Sequence, residues 1–158
     1  MLTIAKFDRY DLVNTPMSDT AAFTIWFSGC HFRCKGCYNE RLWYSDFGAK
    51  FTVDDALIII LNQCESQGLH HVVLLGGEPL DQDFVGICEL LDRLYSYGIR
   101  IWLYTGYEFN EIPPPILQTL YTVKCGVYKE DLKCDGIPSS TNQKFYRKID
   151  EKWNEITF

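Results

Sequence analysis

The 158-residue chain is long enough to bury a real core and too short for a complete eight-fold β/α barrel. Apolar residues make up 47% and aromatic residues 15%, which excludes a disordered segment. A formal net charge of −6 without a local Lys/Arg run speaks against nucleic acid as a partner, because phosphate recognition needs a clustered basic surface.

The longest purely apolar run, Ala56-Leu57-Ile58-Ile59-Ile60-Leu61, falls far short of a membrane span, and no signal-peptide pattern precedes the first motif. Seven cysteines, an odd number with one tight triplet, fit a reducing cytosol and a metal better than a disulfide framework. The expectation is a cytoplasmic protein with no membrane partner.

In chain order, Leu2 to Phe7 alternates weakly and reads as an edge strand or hairpin arm, leading into the turn-rich Asp11-Leu12-Val13-Asn14-Thr15-Pro16. Ala22 to Phe27 is an apolar strand that enters the cysteine loop Gly29-Cys30-His31-Phe32-Arg33-Cys34-Lys35-Gly36-Cys37-Tyr38-Asn39. Glu40 to Lys50 reads as surface connection. Thr52-Val53-Asp54-Asp55 has capping-box spacing, and the helix it opens places Leu57, Leu61 and Cys64 on one face before stopping at Gly68.

His70 to Leu75 is a short run typical of a buried parallel strand and runs into Gly76-Gly77-Glu78-Pro79. From Gln82 to Tyr97 the apolar positions Phe84, Val85, Cys88, Leu91, Leu94 and Tyr95 recur at helical spacing, with Gly98 as the stop. Ile99 to Tyr104 supplies a further strand, followed by Thr105-Gly106-Tyr107. Pro113-Pro114-Pro115 opens a short helix ending near Tyr121, and Thr122 to Tyr128 is a fourth strand. Beyond Lys129 periodicity is lost, so residues 129–158 read as an irregular C-terminal extension of one domain, 1–158.

Strand, helix, strand, helix, strand implies parallel βα units, and ligands in such sheets bind beyond the carboxyl ends of the strands. The cysteine loop, Gly76-Gly77-Glu78-Pro79 and Thr105-Gly106-Tyr107 each directly follow a predicted strand, so all three are expected along one edge. Two glycines let backbone approach a ligand closely, and Glu78 can fix a nearby cation or ammonium. An ordinary strand-to-helix turn is the plainer reading of that stretch taken alone.

Cys30, Cys34 and Cys37, spaced C-x3-C-x2-C, form a metal clamp with three ligands where a structural zinc or an electron-transfer cluster wants four. On spacing alone a zinc knuckle completed by His31 or a distant cysteine stays open. Three thiolates on a four-iron cluster would leave one iron free to bind a small molecule.

This spacing resembles the signature of the radical S-adenosylmethionine (SAM) superfamily, and its wording looks like that of the glycyl-radical activating enzymes, most narrowly the activases of anaerobic ribonucleotide reductase. The resemblance implies a radical SAM type fold, a partial, open β/α barrel of parallel βα units. It implies a [4Fe-4S] cluster on Cys30, Cys34 and Cys37 whose fourth iron chelates SAM. It further implies SAM contacts from Gly36, Cys37 and Tyr38 and from Gly77 and Glu78, with Gly76 and Pro79 shaping the turn. One electron cleaves SAM to methionine and a 5′-deoxyadenosyl radical, so no side chain is needed as acid, base or nucleophile. The target is a glycine in the large subunit of anaerobic ribonucleotide reductase, and a flavodoxin- or ferredoxin-type donor supplies the electron.

At roughly 30 residues per βαβ unit the chain makes an open barrel able to admit a loop of another protein. Trp102, Tyr104, Thr105, Gly106 and Tyr107 match the activases' Trp-x-x-Thr-Gly-Tyr run and either wall the pocket or belong to the core. Ser139-Ser140-Thr141-Asn142-Gln143 is similar to their Ser-Ser-Asn-Gln run with Thr141 inserted. Two departures stand out: Thr15 and Met17 where the activases carry Asn-Gly-Pro-Gly, and Cys125-Gly126 where they carry Asp-Gly. A radical SAM enzyme acting on a small molecule, for instance in deazapurine biosynthesis, and a non-catalytic zinc adaptor are the alternatives.

Overall fold

A computed structural model describes residues 1–8 and 21–157. The turn-rich stretch 11–16 and Met17 lie outside the described residues. Eight strands form one open mixed sheet in the order β3-β1-β2-β4-β5-β6-β7-β8, with β3 and β8 as its two ends. They are β1 (Leu2–Asp8), β2 (Phe23–Phe27), β3 (Ala49–Phe51), β4 (His71–Gly76), β5 (Arg100–Tyr104), β6 (Thr122–Cys125), β7 (Lys144–Ile149) and β8 (Lys152–Ile156). Strands β2, β4, β5 and β6 run parallel, as the strand-helix alternation predicts. Antiparallel neighbours extend this block on both sides. The architecture is an α/β partial barrel whose sheet never closes.

Helix α1 (Val53–Gln67) starts where the sequence places it: the Thr52 hydroxyl accepts from the Asp55 backbone N–H at 3.1 Å, and Gly68 ends it at φ 64°. Helix α2 (Phe84–Ser96) is capped by Asp83, whose carboxylate accepts from Gly86 N–H at 2.9 Å. Its buried face differs from the expected one. Phe84, Val85 and Tyr95 are exposed, while Ile87, Leu90, Leu91 and Leu94 are buried. Leu91 and Leu94 are buried as expected and Cys88 packs against the same core, and the stripe built from branched aliphatics covers the sheet. A four-residue helix, α3 (Pro114–Leu117), precedes β6 and stops short of Tyr121.

Because the parallel strands are covered on both faces, successive residues serve two cores. Val72, Leu74, Ile101, Leu103 and Val123 face the helices, whereas Val73, Leu75 and Trp102 face the concave side.

Two stretches differ from expectation. Of the two readings of the first strand, the hairpin arm fits, since it pairs antiparallel with β2, and the edge does not, since β3, inside the supposed surface connection, pairs along its outer side. The supposed irregular extension carries the β7–β8 hairpin, which continues the sheet beyond β6. No helix among the described residues is long and apolar enough to cross a membrane.

His71 behaves as a structural histidine. Its Nδ1 accepts from Trp102 Nε1 at 2.9 Å, and burial, reinforced by Arg100, Arg147 and His70, pulls its pKa down to about 4. A folded-state value below the unfolded one means that the stabilisation is present above about pH 6.5 and is lost as pH falls toward 4. Allowing for partial exposure, the loss is expected to be about 1–2 kcal/mol. Urea titrations of wild type and His71→Gln at pH 7.5 and pH 5 check it: the variant should lose less stability on acidification.

Candidate functional site

The three motifs meet as expected, at the carboxyl ends of β2, β4 and β5, around a cleft of about 540 Å³. That size lies within the range of small-molecule sites. Cys30, Cys34 and Cys37 line it together, facing Gly76, Gly77 and Glu78.

Backbone hydrogen bonds fix the cysteine loop on both flanks. Gly29 N–H donates to Leu42 O at 2.8 Å and Cys30 N–H to Trp43 O at 3.2 Å, so the turns after the loop buttress it. Cys37 N–H donates to Cys34 O at 3.1 Å, closing the turn that brings the last two cysteines together. From the other flank, Gly77 N–H donates to Phe27 O and Glu78 N–H to Gly29 O, both at 2.8 Å. The Gly-Gly-Glu backbone therefore lashes the start of the loop to the end of β4.

The sulfurs sit among amide donors. Cys30 is served by the backbone N–H groups of Phe32 and Arg33, and Cys34 by that of Tyr128. Burial nonetheless raises both thiols above their ordinary value, and the nearby Glu78 carboxylate pushes the same way. Thiolates here need a bound cation to hold them, and metal binding releases their protons.

Among the described residues, no three Cys, His, Asp or Glu side chains converge closely enough to hold a single ion. Zinc, with bonds of about 2.3 Å to sulfur, demands such convergence. A cube with iron at four corners keeps its thiolates farther apart, and three half-buried thiols on one cleft, two of them with amide donors, fit it. His31, the candidate fourth zinc ligand, instead holds Asp81 Oδ2 through Nδ1 at 2.7 Å.

Glu78 is only 1% exposed, and both its oxygens are occupied. Oε1 accepts from Leu80 N–H at 3.0 Å and from the Thr105 hydroxyl at 2.8 Å, and Oε2 accepts from Gly106 N–H at 2.8 Å. Burial raises its pKa to about 7 against these donors. Its side chain thus ties the loop after β4 to the loop after β5, a link that the sequence does not reveal.

Of the expected cofactor contacts, Cys37, Tyr38, Gly76, Gly77 and Glu78 line the cleft. Gly36 does not: at φ 78° its Cα lies against the Glu130 side chain, which accepts from the Tyr128 hydroxyl at 2.6 Å. The Trp-x-x-Thr-Gly-Tyr run divides. Trp102 is core, while Tyr104, Thr105 and Gly106 line the cleft. Tyr107 packs on Phe32, with ring centroids 5.0 Å apart, and donates its hydroxyl to Asp81 at 2.8 Å.

The far wall comes from residues after β6. Asn142 Nδ2 donates to Val127 O at 2.8 Å and Gln143 Nε2 to Gly126 O at 2.9 Å, so the Ser-Ser-Thr-Asn-Gln stretch staples that wall in place. Cys134 stays outside the cysteine cluster, its thiol donating to Pro138 O at 3.2 Å. Cys125, where the activases carry Asp, is buried on the helix side of the sheet.

An open α/β sheet that gathers three thiols at the ends of its parallel strands defines a class, the single-cluster iron–sulfur proteins, and the family described as "4Fe-4S single cluster domain" matches residues 20–146. The anaerobic ribonucleoside-triphosphate reductase-activating protein of Escherichia coli strain K12 is 33% identical over 133 residues, covering 78% of this chain and 82% of that one. Its counterpart from enterobacteria phage T4 is 31% identical over 150 residues, covering 90% and 92%. The chain belongs to this family of activating proteins. The crystal structure of QueE from Escherichia coli shares the fold, with a TM-score of 0.54 and 19% identity over 81% of this chain and 72% of that one.

Proposed function

We propose that this chain is the activating enzyme of an anaerobic ribonucleotide reductase, using a [4Fe-4S] cluster and SAM to install a glycyl radical on the reductase large subunit. The single observation that carries the reading is the convergence of Cys30, Cys34 and Cys37 with the Gly-Gly-Glu turn on one cleft, in a chain of the activating-protein family. Cys30, Cys34 and Cys37 would hold the cluster, leaving one iron for the amino and carboxylate groups of SAM. When bound, the cluster supplies one electron to the sulfonium, giving methionine and a 5′-deoxyadenosyl radical that takes the α-hydrogen of the target glycine.

The protein's part is positional. Gly76 and Gly77 let the end of β4 approach both the cysteine loop and the cofactor, and Tyr38, more than four-fifths exposed at the rim, is placed to close over it. Glu78, locked by Thr105 and Gly106, keeps two walls of the cleft in register beside the amino end of SAM. The sheet's open side admits a peptide loop, and a flavodoxin- or ferredoxin-type protein is the electron source. The compartment is the cytoplasm, and neither nucleic acid nor membrane is a partner.

Anaerobic mixing with SAM, a strong reductant and the reductase large subunit should give an electron-spin doublet on that subunit. If only free 5′-deoxyadenosine appears, the partner assignment fails while the cluster chemistry survives.

A further inference from the structure

The antiparallel ladder between β6 and β7 ends at the pairing of Cys125 with Lys144. Gly126, at φ 100°, turns the chain out of the sheet, a conformation that glycine adopts without steric cost. The carbonyls of Gly126 and Val127 have therefore left the ladder, and two side-chain amides stand in for the missing strand. Gln143 Nε2 donates to Gly126 O at 2.9 Å, and Asn142 Nδ2 to Val127 O at 2.8 Å. A carbonyl cannot donate, so in each amide it is the nitrogen that faces the wall.

The two bonds differ in what lies at the other end of the gripped peptide. Val127 O and Tyr128 N–H belong to one peptide unit, planar and trans, so its oxygen and its hydrogen point in opposite directions. Asn142 holds the oxygen, and the N–H on the far side is the donor to the Cys34 sulfur. Gln143 holds the unit before it, whose N–H is that of Val127 and not the one on Cys34.

Stability is not a sufficient reason for an asparagine here. Its Oδ1 is buried with no hydrogen-bond partner among the described residues, and an orphaned buried acceptor costs at least as much as one ordinary hydrogen bond contributes. What the single Nδ2 bond adds is direction and polarity. It fixes the plane of the Val127–Tyr128 peptide, and an amide whose oxygen already accepts a bond is a stronger donor. Hydrogen bonds to the sulfurs help to set the potential of an iron–sulfur cluster, because a donor beside a thiolate favours the more negative, reduced form.

We propose that Asn142 is a positioning residue for the cluster: by gripping Val127 O it aims and strengthens the Tyr128 N–H on the Cys34 sulfur, which makes the cluster easier to reduce. This rests on the reading of Cys34 as a cluster ligand, and it gives the Ser139-Ser140-Thr141-Asn142-Gln143 stretch a part in electron uptake beyond holding the wall.

Asn142→Leu removes the grip, and Gln143→Leu removes the same kind of bond from the neighbouring peptide. Wild type and both variants, loaded with cluster and kept free of oxygen, are analysed for iron and then poised at one solution potential near the wild-type midpoint, where the spin signal of the reduced cluster is read. Normal iron is expected in both variants. For Asn142→Leu the ratio of reduced to oxidised cluster is expected to fall about threefold or more below wild type, which is about 28 mV at 59 mV per tenfold. Gln143→Leu is expected within about twofold of wild type, although it orphans a carbonyl in the same wall. An unchanged or higher ratio in Asn142→Leu overturns the proposal, and so does an equal fall in both variants, which would mean a loosened wall. Where Asn142→Leu fails to take up iron, Asn142→Ala decides: a wild-type ratio there overturns the proposal, and a fall in the same direction supports it. Wild type that takes up no four-iron cluster overturns the cluster reading itself and this proposal with it.

Discussion

Cys30→Ala, Cys34→Ala and Cys37→Ala, each purified without oxygen, are expected to fall from about four irons per chain to under about one and to lose SAM cleavage. The three sulfurs come from one loop and enter one cleft, and a cube held by only two of them has no fixed corner to offer a ligand. Each cysteine also holds its place by a different device. Cys30 is anchored by Trp43 O, Cys34 receives the Tyr128 amide from the far wall, and Cys37 closes on Cys34 O. No neighbouring thiol is placed to substitute, because Cys64 and Cys125 are buried on the helix side, Cys88 packs against the same core and Cys134 is bonded to Pro138. Cys64→Ala is the matching control: it is expected to cost roughly 1–2 kcal/mol of packing and to leave iron content unchanged. Iron and acid-labile sulfide analysis with visible absorption reads both results. Full iron in any one of the three cluster variants refutes the ligand assignment.

What the sequence makes legible here is what it encodes locally. A cysteine triplet, a Gly-Gly-Glu-Pro turn, a Thr cap and helix-ending glycines are each decided within a few residues, and all stand where expected. The C-terminal hairpin escaped because its signals are disguised. The alternation in Lys144–Ile149 is blurred by Tyr146, Arg147 and Lys148, whose stems pack while their heads stay polar. Its turn places Asp150 and Glu151 at φ 50° and 62°, a conformation usually announced by Asn-Gly. Nothing in Asp-Glu advertises it. Helix α2 stands where expected with Leu91 and Leu94 in the core, and its exposed Phe84, Val85 and Tyr95 imitate a wider core stripe.

The site was legible in its ligands and opaque in its long-range ties. The resemblance assigns Glu78 to the cofactor, yet only the fold shows its carboxylate latched to Thr105 and Gly106 from another strand end. Gly36 fits the family wording, while the tertiary structure puts Glu130 against it. Lys124 carries no local motif. A lysine in a short strand reads as a solvated edge position until the register with Tyr104 sets it inside the cleft. In the same strand Cys125 turns toward the helices while its neighbours Lys124 and Gly126 line the cleft.

Gly77→Ala is expected to be severely damaging for the addition of a single methyl. A Cβ there would lie 2.6 Å from Gly29 O and 2.7 Å from Leu42 O, both backbone atoms that no rotamer change can move. Gly29 O is also the acceptor of the Glu78 N–H, and Leu42 O that of the Gly29 N–H, so the methyl strikes two of the bonds that join the cysteine loop to its supports. Relief requires the loop to move bodily away from β4, which separates the thiols from the Gly-Gly-Glu wall. A loss of about 3 kcal/mol or more in urea unfolding is expected, at the upper end of overpacking effects, together with poor cluster incorporation. Gly98→Ala provides the contrast: at φ 78° it is strained, but no atom lies within 4 Å of the new methyl, so about 1 kcal/mol and normal iron are expected. If Gly77→Ala were no worse than Gly98→Ala, the cysteine loop would have to rest on something other than the end of β4.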